Sequence, residues 1–210
     1  MHKDCLTIYM PKQSSQKKSV DTTGSNRSQL TPQDWINAAT EVLIDKSIDA
    51  VRVDVLAKGL NVTRGSFYWH FKDREDLLKQ LLTKWRDEAT EQLIDRFEHS
   101  GANADALLDD LLTLPFRGYA ALRSASIELA IRAWARRNEM AKQFVAEVDA
   151  KRLAYTAQCF VGIGFSLQEA NMRAYLLYSY IIGESLMREQ GTDQQKQQRR
   201  SYVHQLLLKR

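Results

Sequence analysis

Little in this 210-residue chain interrupts a helix. Three prolines and nine glycines are too few for the many turns of a strand-rich fold, so long helices are expected. The two cysteines, Cys5 and Cys159, form neither a disulfide framework nor a metal spacing, and the histidines are scattered. No apolar run approaches the roughly 18 residues a membrane span needs. The N-terminus lacks the apolar block and small-residue cleavage site of a signal peptide. The expectation is a reduced, soluble, cytoplasmic protein with no metal and no cofactor.

Charge of one sign is also scarce. The net charge is +4, and residues 1–28 carry five basic residues against two acidic ones, leaving the remainder nearly neutral. A pI near 9.0 points toward nucleic acid, but here it comes mainly from a tail. That tail is rich in Ser, Gln and Lys, has no periodicity and is expected to be disordered. It fits a basic arm that adds phosphate contacts, a solvated leader, or an over-extended start with Met10 as the first residue.

With 44% hydrophobic residues, what remains has ample material for a core. Thr31-Pro32 opens a first helix, Thr31 as N-cap and Pro32 at its first position, with Trp35, Ala39, Val42 and Leu43 on its apolar stripe. A short second helix places Val53, Leu56, Ala57 and Leu60 at helical spacing. Asn61 supplies the turn, since Asn tolerates a left-handed backbone. A third helix is expected over Thr63–Phe71, capped by the Thr63 hydroxyl, and Asp73 caps a fourth. At about 100° per residue, Phe67 and Phe71 share an inner face while Gly65 and Trp69 point outward, flanked by Ser66 and Tyr68. An outward Trp-Tyr pair leaves apolar area in water and calls for a partner.

Two short helices joined by a tight turn and steadied by a helix in front form a helix-turn-helix. Residues 52–77 resemble the DNA-binding domain of the TetR family of bacterial regulators. The family pattern of Ile-Ala, a turn Gly-Val, Ser/Thr-x-Gly-Thr-Leu-Tyr-x-His-Phe and a following Lys-x-x-Leu is met by Leu56-Ala57, Asn61-Val62, Thr63, Gly65, Ser66, Phe67, Tyr68, His70, Phe71, Arg74 and Leu77. Asn61 departs mildly from the turn Gly. Arg52 replaces a capping Thr, which puts the usual Thr–phosphate contact in doubt and offers an Arg–phosphate contact instead.

Thr63, Arg64, Gly65 and Ser66 occupy the N-terminal turn that reaches base edges in the major groove. Arg64 is the candidate guanine reader, because its fork can bond O6 and N7 together. Gly65 allows close backbone approach, and Ser66 is short enough to touch a base or phosphate. The resemblance implies that Tyr68, His70 and Arg74 hold phosphates and that Trp69 packs on sugar or a thymine methyl. A Ser66-His70-Asp73 catalytic reading fails, since nothing around it shapes an oxyanion hole or nucleophile elbow, and no enzyme is expected.

Beyond residue 77 the apolar spacing continues. It gives a fourth helix to about His99, a fifth over 103–114 stopped by Pro115, a sixth breaking near Asn138, a seventh over 139–160, an eighth over 166–189 and a ninth from Gln194. The expected architecture is all-α. Residues 1–28 form the basic tail, 29–76 a three-helix DNA-binding domain with its helix-turn-helix motif at 52–71, and 77–210 a helical effector-binding and dimerisation domain. The resemblance implies a homodimer through the last two long helices, a double-stranded palindromic operator, and a small-molecule effector that releases a repressor. The alternative is an interaction module controlled by a protein partner. Ser179 and Gly183 suit either a dimer contact or packing within the chain. Trp85, Phe116, Tyr119, Trp134, Phe144, Tyr155 and Tyr178 suit either a pocket or plain core. Glu184 would meet a cationic ligand or pair with Arg188.

Overall fold

The computed structural model describes residues 30–187 and 189–209, so the expected tail over 1–28 and the Glu184–Arg188 pairing lie outside the described residues. Helix α1 (Pro32–Asp45) starts on a reciprocal cap. Thr31 Oγ1 accepts from the Asp34 amide and the Asp34 carboxylate accepts from the Thr31 amide. A single turn at Ile48–Ala50 leads to α2 (Val53–Gly59). Asn61 then takes φ 55°, the left-handed conformation that reverses the chain.

The next segment is shorter than expected. Helix α3 covers only Arg64–Phe67, followed by turns through His70. The amides of His70 and Phe71 both donate to the Phe67 carbonyl, at 3.0 and 3.1 Å, which closes the helix after one turn. Nor does the Thr63 hydroxyl cap it. The Ser66 amide bonds to the Thr63 carbonyl instead, leaving the side chain exposed. Helix α4 (Arg74–Arg86) begins on Asp73, whose carboxylate accepts from the Asp76 amide at 2.9 Å.

What reads as one fourth helix to His99 contains a π-turn at Asp87–Glu91 between α4 and α5 (Gln92–Glu98). Gly101, at φ 66°, ends that run. Helices α6 (Ala104–Thr113), α7 (Gly118–Ala135), α8 (Glu139–Gly162), α9 (Leu167–Leu186) and α10 (Asp193–Leu208) complete an all-α architecture. Among the described residues no helix is long and apolar enough to cross a membrane, and no group of three or more His, Cys, Asp or Glu is arranged to hold a metal ion.

Two buried clusters organise these helices. The first joins Trp35, Phe67, Phe71, Leu77, Leu81 and Trp85 to Ile131, Trp134, Ala141 and Val148. It therefore runs from α1–α4 into α7 and α8, across the expected boundary at 76/77. The second gathers Phe97, Leu108, Leu112, Phe160, Leu177 and Leu207 from α5, α6, α8, α9 and α10. Glu41 of α1 bonds to Arg123 of α7, adding a polar tie between the N-terminal helices and the remainder.

Candidate nucleic-acid interface and inner cavity

The outward face of α3 is built on its inward one. Phe67 and Phe71 stack at 5.2 Å, and Phe67 meets Trp35 edge-on at 5.3 Å. All three rings are buried, and such aromatic contacts add to the burial itself. Anchored this way, the chain presents Thr63, Arg64 and Gly65 to solvent with Tyr68 57% and Trp69 85% exposed, while Ser66 and His70 are half-buried beside them. Gly65 has no conformational or steric need to be glycine. A Cβ there would meet only Thr63 Oγ1 at 3.7 Å, an ordinary contact. Its smoothness therefore serves nothing inside the chain.

Arg52 and Arg74 separate sharply. Arg52 stands at the N-cap of α2 without a capping bond, its exposed guanidinium 3.1 Å from Asp54. Arg74 turns inward. Its Nε donates to the Val51 carbonyl at 2.5 Å and its Nη2 to the Ile48 carbonyl at 2.6 Å, pinning the α1–α2 connection to the start of α4. That structural role was missed by sequence reading, whose only signal was a basic residue at a family position.

A second feature is a cavity of about 310 Å³ between α5, α6, α7, α8 and α9. Its walls are mainly apolar, with Leu93, Leu111, Ala125, Leu129 and Ile181 among them. At one end lies a charge cluster. Arg132 bonds Glu128 through Nε at 2.9 Å and Asp149 through both terminal nitrogens, while Arg152 holds Glu128 at 3.0 Å. The Tyr178 hydroxyl donates to Asp149 at 2.6 Å and accepts from both arginines. Burial works against the charged forms, but these bonds and opposed charges keep the Arg132 and Arg152 pKa values above the ordinary range and that of Asp149 below it. Burial pushes the Tyr178 phenol up to about 12.

Arg152 also reaches the π-turn, donating to Thr90 Oγ1 at 3.0 Å and to the Ala89 carbonyl at 3.2 Å. Of the aromatic residues considered for a pocket, Tyr155 and Tyr178 line this cavity. Phe116 and Tyr119 border a wider, more open groove of about 730 Å³, Trp85 and Trp134 are buried core, and Phe144 packs against the first cluster. Glu184 is buried and paired with Arg199 of α10 at 2.9 and 3.1 Å. A partner fifteen residues away lies beyond the one-turn spacing that sequence reading considered.

Comparison with known proteins agrees with this geometry. Residues 36–81 match the model of bacterial regulatory proteins of the tetR family. The transcriptional regulator AcrR of Shigella flexneri is 34% identical over 53 residues, and SrpR of Pseudomonas putida is 36% identical over 52. Each match spans 25% of this chain, and the chain covers only about a quarter of each relative, 25% and 24%. Solved structures resemble far more of it. A transcriptional regulator from Rhodococcus sp. Rha1 superimposes with a TM-score of 0.66 at 18% identity, over 85% of this chain and 94% of that one. FadR of Bacillus subtilis, solved with stearoyl-CoA, gives 0.62 at 22% identity over 85% and 98%. A protein from Saccharomonospora viridis in complex with choline gives 0.66 at 19% over 84% and 92%. At these identities the structural likeness speaks for the fold.

Proposed function

Because the chain belongs to the TetR family of bacterial regulators, we propose that it is a sequence-specific transcriptional regulator: a dimeric repressor that a small molecule releases from a palindromic operator. One observation carries the DNA-binding reading. A rigid aromatic core holds an exposed basic and aromatic turn, Thr63–His70, whose own packing gives Trp69 and Gly65 nothing to do. Arg64 reads a base edge through the major groove, where Thr63, Gly65 and Ser66 permit close approach. Tyr68, His70 and Arg52 contact phosphates, and Trp69 packs on sugar or a thymine methyl. Arg74 contributes mainly by fixing the connection in front of α2, with its remaining terminal nitrogen for phosphate.

The inner cavity is the effector site in this reading. A ligand acts only by binding two conformations with different affinity. Arg152 is placed to couple them, because one guanidinium bonds both the cavity cluster and the π-turn that continues from α4. π-turns are local deviations that can reset to ordinary helix, which would rotate α4 against the body. Coupling of about 1–3 kcal/mol would change operator affinity roughly 5–150-fold.

In vitro selection of DNA by the full chain tests the reading. The expected product is a palindrome with half-sites about 34 Å apart. Arg64→Ala should relax base choice within each half-site, whereas Tyr68→Phe should weaken all selected sequences alike. Enrichment of no palindrome, or a base-selective loss in Tyr68→Phe, overturns it.

A further inference from the structure

Resting on the DNA-binding reading, we infer that Lys72, rather than Arg74, supplies the main phosphate contact at the start of α4. The fork of Arg74 is turned into the chain, with Nε on the Val51 carbonyl and Nη2 on the Ile48 carbonyl, so a two-pronged grip on a phosphate is closed to it. The helix start around it is acidic, with Asp73, Glu75 and Asp76 close together in sequence. A phosphate approaching this end needs a second cation to offset like charge.

Lys72 is the cation in place. Phe71 is buried, and the residues on either side of it, half-buried His70 and exposed Lys72, lie toward solvent. His70 belongs to the turn proposed to face DNA, and two residues of chain span at most about 7 Å. Lys72 thus stands within side-chain reach of the phosphate proposed for His70 or of the next one along. Its backbone is fixed. The Lys72 amide donates to Asp76 Oδ2 at 3.0 Å and the Asp76 amide to Asp73 Oδ1 at 2.9 Å, which ties residue 72 to the first turn of α4. Its ammonium, by contrast, makes no hydrogen bond or ion pair among the described residues. A point charge on a flexible stem suits a phosphate oxygen without demanding one geometry. The bland alternative is that Lys72 only offsets the acids beside it. The Gln80 side chain, the Lys72 amide and, at longer range, the charges of Lys79 and Lys72 hold the Asp76 carboxyl below the ordinary range. Lys79, exposed on α4, shares that long-range part and is therefore the control.

The test measures the affinity of the full chain for the DNA it selects, between about 50 and about 200 mM KCl. Each phosphate contact contributes about 0.9 to the slope of log affinity against log salt. Losing one contact per protomer on a two-half-site operator should flatten that slope by about 1.8. Fourfold more salt should then cost the wild type about twelvefold more affinity than Lys72→Gln. The loss should be uniform over the selected sequences, with the thermal midpoint unchanged, because phosphate contacts carry no sequence information. Lys72→Arg should restore the slope, and Lys79→Gln should keep it. A Lys72→Gln slope equal to that of wild type overturns the inference, as does equal flattening in Lys79→Gln or a loss confined to particular bases. A Lys72→Arg slope as flat as that of Lys72→Gln overturns it too. If the wild type selects no DNA, the DNA-binding reading fails and takes this inference with it. An unchanged slope in a variant that still binds its operator removes Lys72 alone.

Discussion

Gly65 is the residue at which stability and the proposed DNA contact make opposite demands. Its backbone φ is ordinary and a Cβ would fit, so the chain alone would favour alanine. Gly65→Ala should therefore raise folding stability by about 0.5–1 kcal/mol, through lower unfolded-state entropy and better helix propensity. In the proposed DNA complex the same methyl stands where a base or phosphate approaches, so operator affinity should fall. Urea denaturation and fluorescence anisotropy on one preparation check both signs, and a variant that binds DNA as well as wild type removes Gly65 from the interface. Asp149 gives a residue-level pH signature. Its folded pKa is depressed, so its stabilisation is present above the unfolded carboxylate value of about 4 and is lost as pH falls through the folded value. Asp149→Asn should therefore lower the midpoint of thermal unfolding at neutral pH and flatten its decline in acid. Equal slopes for wild type and variant below about pH 4 would remove Asp149 from the acid response.

Arg74 and Arg52, both basic and both beside the helix-turn-helix, should part company under mutation because their elements use them differently. Arg74→Ala strands the Val51 carbonyl and leaves the Ile48 carbonyl with the Val51 amide alone, and should cost about 1–3 kcal/mol of stability as well as DNA affinity. Arg52→Ala removes an exposed ion pair, so its stability should stay within about 0.5 kcal/mol of wild type while affinity falls and its salt dependence flattens. Equal destabilisation of the two variants would contradict the structure. The pair also marks the limit of what could be read before the fold was known. Caps at Thr31 and Asp73, the left-handed Asn61, the stop at Gly101 and the break at Asn138 are local events, settled within a few residues, and all were legible. The brevity of α3 was not, because a doubly used Phe67 carbonyl is a choice of geometry that apolar spacing does not encode. Arg74 to Ile48, Glu184 to Arg199 and Glu128 to Arg152 span 26, 15 and 24 residues, and helical periodicity carries no information at such separations. The π-turn escaped for a related reason: one extra residue in a turn barely shifts an apolar stripe, and its partner Arg152 lies 63 residues from Ala89.

Among the described residues an apolar face also lies uncovered along the last two helices. Along α9, Met172, Tyr175, Leu176, Ser179 and Leu186 are exposed and recur at helical spacing on one side, with the half-buried Gly183 among them. On α10, Tyr202 and Leu206 are exposed one turn apart. A stripe of this kind on a helix surface is suited to association, and in the proposed dimer a second copy related by a two-fold axis would cover it with the same residues from both sides. Ser179 and Gly183 occupy its middle, where small side chains let two helices approach closely. A Cβ on Gly183 would meet only Met187 Cε at 3.7 Å within the chain, so the fold does not demand glycine there. Ser179→Arg should consequently place two like charges against each other across the axis without disturbing either buried cluster. The expected result in sedimentation is a monomer at micromolar concentrations where the wild type is a dimer, with an unchanged circular dichroism spectrum. DNA should report the same change, because one recognition turn contacts one half-site and only the dimer contacts two. The variant should lose most of its affinity for a two-half-site operator and little for an isolated half-site. A wild type that sediments as a monomer, or a Ser179→Arg protein that remains dimeric, would place the association surface elsewhere and remove the geometric reason for a palindrome.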